Sequence, residues 1–172
     1  FASAMASAYR IGHLPDDRWL CVLPLYHVGG ISILIRACLY GITVQLQERF
    51  ETDAVNRALS EEGVTLVSLV PTMLYRLLDD GTPQNWQSLR LALIGGAATT
   101  PALMQRCMDT GVPVATTYGL SEAASQVATT LPGDAAKKPG TVGKPLMFTR
   151  VRVVDDTDTD RPPGEYGEVI VQ

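Results

Sequence analysis

Between Ala2 and Ala115, short apolar or β-branched runs alternate with helical patterns about ten residues long, and this rhythm constrains the fold more than any other feature. Strands separated by helices of that length favour an open, mostly parallel α/β sheet with helices packed against it. Ala2 to Ile11 is small and apolar, and Gly12 supplies a helix stop. Trp19 to Leu23 is a buried strand closed by Pro24. Gly30 to Leu39 places Ile31, Leu34, Ile35 and Cys38 on one helical face and ends at Gly41. Ile42 to Leu46 alternates at period two, as a strand with one wet face does. Thr52 or Asp53 can cap a helix carrying Val55, Leu59 and Glu62, which Gly63 closes. Val64 to Val70 is β-branched and apolar, a buried strand, and Pro71 opens the helix of Met73, Leu74, Leu77 and Leu78. Leu89 to Ile94 is the next strand. Thr100 caps and Pro101 opens a helix through Met108 that stops at Gly111, and Val112 to Ala115 is a further short strand.

After Thr129 the character changes. Residues 131–148 hold Pro132, Gly133, Pro139, Gly140, Gly143 and Pro145, the composition of a loop-rich connection. Thr149 to Val154 and Tyr166 to Val171 then look like two strands around the acidic, proline-rich stretch Asp155 to Gly164. The expected organisation is an α/β unit over residues 1–130, followed by a linker and part of a small β lobe over 131–172.

Hydrophobic residues make up 46% of the 172 positions and charged residues 19%, which excludes general disorder. The net charge of −4, from 14 basic and 18 acidic residues, gives no footprint for nucleic acid or an anionic membrane. The longest apolar run, Ile31 to Tyr40, is interrupted by Ser32 and Arg36 and is too short to span a bilayer. No charged segment followed by an apolar one opens the chain, so no secretory signal is expected. Cys21, Cys38 and Cys107 are widely spaced without a C-x-x-C pair; Cys21 and Cys38 read as small core residues, and a reducing cytoplasm fits. The chain begins at Phe1, within a stretch that reads as a helix, and stops straight after a strand-like segment, so it is expected to be a piece of a larger protein. Core surface bared by such an excision could promote a homo-oligomer.

Three loops carry chemistry, and each follows an expected strand. In open α/β sheets the ligand crevice lies beyond the carboxyl ends of the strands, so the loops could meet at one edge. In the run Thr116 to Glu122, an aromatic ring, a glycine, a hydroxyl and a carboxylate fall within Tyr118-Gly119-Leu120-Ser121-Glu122. Such a set can offer a flat face to a purine, a hydroxyl to a phosphate and an acid to a magnesium ion. It is equally the pattern of a helix start, with Ser121 as cap and Glu122 favouring the helix dipole. Gly95-Gly96-Ala97-Ala98 allows close approach of a ligand to the backbone, or is simply a loop of small residues leading to the Thr100 cap. In Pro24-Leu25-Tyr26-His27-Val28-Gly29-Gly30, His27 follows a strand and precedes a double glycine. His13, in a polar loop, reads as structural.

In this order the loops resemble those of the adenylate-forming acyl-CoA ligase superfamily. Tyr118 to Glu122 looks like its Y-G-x-[ST]-E motif, with serine at 121 where threonine is commoner. The resemblance implies that Thr117, Tyr118 and Gly119 bind the nucleotide, with Tyr118 stacking on adenine. It implies that Ser121 hydrogen-bonds the α-phosphate and Glu122 holds Mg²⁺. Gly95, Gly96 and Ala97 resemble the G-G-[AG] loop that lines the adenine and acyl pockets, although many relatives carry proline where Ala98 stands. Pro24 to Gly30 matches P-L-[FY]-H-x-x-G, which implies that His27, Gly29 and Gly30 lie beside the acyl substrate. Lys137 to Pro145 and Pro162 to Val169 resemble the family's passage into its β lobe. Within the superfamily the combination of Pro24 to Gly30 with Thr117 to Gln126 looks most like o-succinylbenzoate–CoA ligases of menaquinone synthesis, which implies that Ser125 and Gln126 approach an aromatic acyl pocket.

The implied chemistry is AMP-forming. A small-molecule carboxylic acid and ATP give an acyl-adenylate, which coenzyme A converts to a thioester, with Mg²⁺ as cofactor. The family's lysine-bearing phosphate loop, its T-G-D segment and its C-terminal lysine are not found in this sequence, so the 172-residue chain alone is expected to be inactive. Two rivals stand beside this reading: a ligase for another aryl or fatty acid, and a non-catalytic nucleotide-binding or interaction domain.

Overall fold

The structure, a computed structural model, describes residues 1–81, 83–131, 133–135 and 137–172; Pro132, counted above among the breakers of the connection, lies outside the described residues. The first half alternates as its sequence does. Helix α1 (Ala2–Ile11) precedes strand β1 (Arg18–Cys21), helix α2 (Val28–Tyr40), strand β2 (Thr43–Leu46) and helix α3 (Thr52–Glu61). Strand β3 (Leu66–Leu69), helix α4 (Pro71–Asp80), strand β4 (Leu91–Ile94) and helix α5 (Pro101–Thr110) follow. The chain then turns to β strands: β5 (Val114–Leu120), β6 (Ser125–Thr129), β7 (Lys144–Pro145), β8 (Val151–Val154) and β9 (Glu168–Val171). Thr100 caps α5 by accepting a hydrogen bond from Leu103 N, and Gly111 ends it in the left-handed conformation.

Seven strands form one sheet in the order β2-β1-β3-β4-β5-β6-β7. The first five run parallel, and β6 and β7 are added antiparallel at the edge. The architecture is therefore the mostly parallel, helix-flanked α/β sheet expected from the sequence, with β8 and β9 pairing in a separate two-stranded sheet. Alternate residues of the central strands feed two cores, because successive side chains of a strand point to opposite faces. Leu20, Val67, Leu69, Ala92 and Ile94 pack with Val55, Leu59, Leu74, Leu77 and Leu103 of α3, α4 and α5. Trp19, Cys21, Leu66, Leu91 and Leu93 pack on the other side with Ile11 and with Ile33 of α2.

At the amino ends of the strands a buried carboxylate ties four segments together. Asp17 accepts from Arg90 Nε at 2.8 Å, from the Thr65 hydroxyl at 2.7 Å and from Leu14 N at 2.7 Å. Arg90 also donates to the carbonyls of Ile11 and Gly12 at the end of α1. Burial alone would raise the Asp17 carboxyl; the hydrogen bonds from Arg90, Leu14 and Thr65, with the guanidinium charge, outweigh it and hold the group below its ordinary range.

Two expectations need correction, and one strand had no expectation attached. Helix α2 buries Gly30, Ser32, Ile33, Arg36 and Ala37, whereas Ile31 and Ile35 are exposed and so is Cys38, expected in the core. The helix is apolar almost all round, so its periodicity names no unique inward face, and packing of Gly30 and Arg36 sets the rotation instead. Strand β5 does not stop at Ala115 but continues through Leu120, so the tyrosine and glycine of the motif lie within a strand. Ser125 to Thr129, to which the sequence pattern assigns no element, is a fully buried strand. Thr129 and the Gln126 amide nitrogen bond Thr117 across the β5–β6 ladder, which a hydrophobicity pattern does not register.

Candidate functional site

The sheet changes winding direction between β1 and β3. From β1 the chain crosses to α2 on one face, and from β3 it crosses to α4 on the other. A crevice forms outside the carboxyl ends of strands at such a point. A cleft of about 540 Å³ lies there. Leu23 and Pro24 enter it from the end of β1, Leu69 and Val70 from β3, and Gly95 and Gly96 from the end of β4. Thr117 and Gly119 line it from β5, Ser125 and Gln126 from β6, and His27, Gly29, Ser32 and Arg36 from the start and inner face of α2.

The glycines of these loops are steric requirements. A Cβ on Gly30 would lie 2.3 Å from the Pro24 carbonyl oxygen, so only glycine lets α2 begin directly against the loop that precedes it. A Cβ on Gly119 would lie 1.9 Å from the Ser125 carbonyl oxygen, inside the hairpin that joins β5 to β6. That hairpin has its register shift between Tyr118 and Gly119 and closes through a 3-10 turn, Ser121–Ala123. Its return leg is strained: Ala124 has φ of 53° and Ser125 a φ of 108°, conformations that cost a non-glycine residue about 1–3 kcal/mol each.

Buried polar groups hold this leg in place. Arg36 donates from Nη2 to the Ser125 hydroxyl at 3.1 Å, and Ser3 of α1 donates to the Ala124 carbonyl at 2.9 Å. The Arg36 guanidinium carbon stands 6.0 Å from the Trp19 ring centroid, and Trp19 Nε1 donates to the Ser68 hydroxyl at 3.1 Å. Arg36 is 97% withdrawn from solvent, being 3% exposed, and burial pulls its pKa down to about 10 against the opposing influence of Tyr40. It stays charged at neutral pH. A guanidinium carries five N–H donors, and among the described residues Ser125 is its one side-chain hydrogen-bond partner. Next to Ser125 on β6, Gln126 donates from Nε2 to the Thr129 and Thr117 hydroxyls, at 3.0 and 3.3 Å. Its Oε1 is buried without a partner among the described residues.

Of the residues singled out from sequence, His27, Gly29, Gly95, Gly96, Thr117, Gly119, Ser125 and Gln126 share the walls of this one cleft. Gly30 is buried behind them. Ala97, Tyr118, Ser121 and Glu122 do not line the cleft and are exposed. Tyr118 alternates with Thr117 on β5, and Ser121 and Glu122 occupy the turn beyond Leu120. Ser121 is not a helix cap: the turn is preceded by Leu120 and has no side-chain capping bond. His27 immediately precedes α2 with its ring 4.6 Å from that of Tyr26, while His13 stacks on Tyr40 at 4.7 Å, as a structural residue does. Glu122 is a lone acid, and among the described residues no group of three or more potential metal-binding side chains gathers anywhere. A single carboxylate is still a sufficient protein share for Mg²⁺, which fills its other positions with phosphate oxygens and water.

Sequence reasoning passed over Arg36, Ser68 and Met73, all of which line the cleft. A signal for Arg36 was present. It is the one charged residue in the Ile31 to Tyr40 run, and a charge inside an apolar helix needs a reason.

The AMP-binding enzyme family matches this chain over residues 1–172. A 2-succinylbenzoate–CoA ligase of Bacillus pumilus is 40% identical over 174 aligned residues, covering all of this chain and 35% of the relative. The o-succinylbenzoate coenzyme A synthetase of Bacillus subtilis, solved with ATP and magnesium, superposes with a TM-score of 0.91 at 37% identity, covering 99% of this chain and 35% of that one. A Mycobacterium tuberculosis fatty acyl CoA synthetase superposes with a TM-score of 0.87 at 28% identity, over 99% of this chain and 34% of its own. The chain thus spans about a third of the length of the relatives it matches.

Proposed function

The chain belongs to the AMP-binding enzyme family, and from that membership we propose that it is part of an AMP-forming acid–CoA ligase whose acid is o-succinylbenzoate. The reaction has two steps. A carboxylate oxygen of the acid attacks the α-phosphorus of ATP and pyrophosphate leaves. The coenzyme A thiolate then attacks the acyl carbon, and AMP leaves with the electron pair of the broken C–O bond.

One observation carries the choice of acid. Arg36 is a buried, charged guanidinium in the wall of the cleft with donors left over. o-Succinylbenzoate has a second carboxylate besides the one that is activated, and a buried arginine suits it because charge-assisted pairs strengthen out of water. A fatty acyl chain would leave that charge unpaired against hydrocarbon, at a penalty of several kcal/mol by order of magnitude. The apolar remainder of the wall, with Leu23, Leu69, Val70, Met73 and Leu93, is suited to an aromatic ring.

In this reading His27 and Gly29 border the acid, Ser125 and Gln126 close its far side, and Gly30 fixes the loop behind them. Gly95, Gly96 and Ala97 present backbone to the nucleotide; the 2.7 Å approach that a Cβ on Gly95 would make to Thr117 Cγ2 fits a rim kept bare of side chains. Thr117, Tyr118 and Gly119 border the adenine, Ser121 donates to the α-phosphate and Glu122 holds Mg²⁺. When bound, the ion would offset phosphate charge as the P–O bond breaks. Residues 1–130 form the α/β subdomain of the AMP-binding domain, and 131–172 form a linker and part of a β subdomain. The absence, among the described residues, of a helix long and apolar enough to cross a membrane is compatible with the cytoplasmic location this reading includes. Association into a homo-oligomer belongs to the same reading.

The test is thioester formation by the intact polypeptide with o-succinylbenzoate, benzoate and fatty acids of graded length. The reading requires preference for o-succinylbenzoate by about 100-fold or more, as expected when a buried polar group is left unpaired by the wrong substrate. Equal use of a fatty acid would replace it with the second ligase reading. No adenylate with any acid would leave the non-catalytic one.

A further inference from the structure

We propose that Arg36 is a positioning residue whose bond to Ser125 holds the β5–β6 turn in place, coupling the acyl cleft to the loop that carries Ser121 and Glu122. The proposal rests on the ligase reading only for the role it assigns to that loop.

The argument begins with the backbone. Ser125 adopts a φ of 108° and Ala124 a φ of 53°, neither favourable for its residue type, so the turn needs support from outside. Ser125 pairs directly with Leu120, the residue before the turn, and Gly119 pairs with Gln126. Any displacement of Ser125 is therefore transmitted to both ends of the Ser121–Ala123 turn.

Two side chains from elsewhere in the chain grip this leg. Ser3 reaches the Ala124 carbonyl from α1 across an exposed contact, and Arg36 reaches the Ser125 hydroxyl from α2 across a buried one. The buried contact is the better shielded of the two from competing water. Arg36 also lines the acyl cleft. An anionic group entering that cleft engages the same guanidinium that fixes Ser125, so occupancy of the cleft alters the hold on the turn. A residue serving only as a packing element would have no such link to the nucleotide side.

The experiment uses the intact polypeptide and its Arg36→Met, Arg36→Lys, Ser125→Ala and Arg36→Met/Ser125→Ala variants. Two readouts are taken: amide hydrogen exchange over residues 119–126 without substrates, and the Mg·ATP concentration at half-maximal ATP–pyrophosphate exchange with saturating o-succinylbenzoate. Arg36→Met is expected to speed exchange in 119–126 and raise the Mg·ATP requirement, each by about 5- to 10-fold, within the range of coupled residues. Exchange in 151–171 should stay unchanged. Ser125→Ala should do the same, the double variant should be no worse than either single one, and Arg36→Lys should fall between. Unchanged exchange in 119–126, a defect confined to the acid requirement, or additive effects in the double variant would each overturn the proposal. Should Arg36→Met not fold, Arg36→Lys and Ser125→Ala make the same comparison. If no acid supports pyrophosphate exchange, the ligase reading fails separately, and hydrogen exchange alone decides whether Arg36 holds the turn.

Discussion

The two antiparallel pairs, β5–β6 and β8–β9, are built on opposite plans. In β5–β6 every residue of the return strand is buried, and hydroxyls and the Gln126 amide nitrogen bond one another within the ladder. Thr117 Oγ1 lies 2.8 Å from Thr129 Oγ1, and Gln126 donates to both. The hold comes from far away in sequence, Arg36 and Ser125 being 89 positions apart. In β8–β9 the connecting stretch is exposed and served locally. Arg152 pairs with Asp160 at 2.8 Å and with Asp158 at 3.1 Å, while the Asp155 carboxylate accepts from the N–H groups of Thr157 and Thr159. Each pair contains left-handed residues, but Asp158 at φ of 60° is of a type that tolerates it, whereas Ala124 and Ser125 are not. A turn can keep a strained shape when the surrounding fold enforces it. A turn left to its own residues must choose ones that suit the shape.

That contrast can be broken or sharpened in four ways. The largest effect is expected from Gly119→Ala in the intact polypeptide. The new Cβ would collide with the Ser125 carbonyl, and stability should fall by about 3 kcal/mol, a severe change for one methyl group and readable by denaturant unfolding. A variant as stable as the parent would show that the hairpin is not enforced by close contact. Next comes Thr117→Val, which leaves the Thr129 and Gln126 groups short of a partner. A loss of about 1–2 kcal/mol should appear as a lower melting temperature.

Acid should separate the two pairs without any mutation. Asp155 is held below the ordinary carboxylate range, first by the Thr157 hydroxyl and then by the N–H groups of Thr157 and Thr159. A carboxyl depressed in the folded state contributes fully above its unfolded value and loses that contribution as pH falls through its folded value. Hydrogen exchange of 151–171, corrected for the intrinsic pH effect, should therefore rise between roughly pH 4 and pH 2, where unfolded aspartate near ~3.9 has begun to protonate. Exchange of 124–129, a leg without carboxylates that is held by hydroxyls, an amide and an arginine, should not follow it. The smallest effect belongs to Arg152→Ala. Exposed ion pairs contribute little, so local exchange should quicken with no measurable change in global melting temperature, and 1 M salt should mimic the variant.

Strand–helix alternation was readable because Pro71, Pro101 and Gly111 punctuate it and because apolar runs such as Leu66 to Leu69 have few alternatives. The segments around His27, Gly95 and Thr117 were readable from their short motifs, the first two following strands and the third lying at the end of β5, and the sheet's winding brings them to one cleft. Other features turned on properties that pattern does not encode. The inward face of α2 is chosen by a glycine that must touch a carbonyl and an arginine that must reach Ser125, not by which side is more apolar. Strand β6 is buried although it opens with Ser125 and Gln126, since Arg36 bonds the Ser125 hydroxyl and the Gln126 amide nitrogen bonds Thr129. Arg36 registered in the sequence as a flaw in an apolar run, and only the fold shows that the run passes along a cleft.

The Asp17 latch has a consequence for how such a molecule can change over generations. It fastens the amino ends of β1, β3 and β4 and the tail of α1 at the side of the sheet away from the crevice. Residues such as Leu23, Met73 and Leu93 can therefore be exchanged to reshape the cleft while the opposite margin keeps the strands aligned. A cleft of new shape then requires no redesign of the foundation, only new furnishing at the open rim.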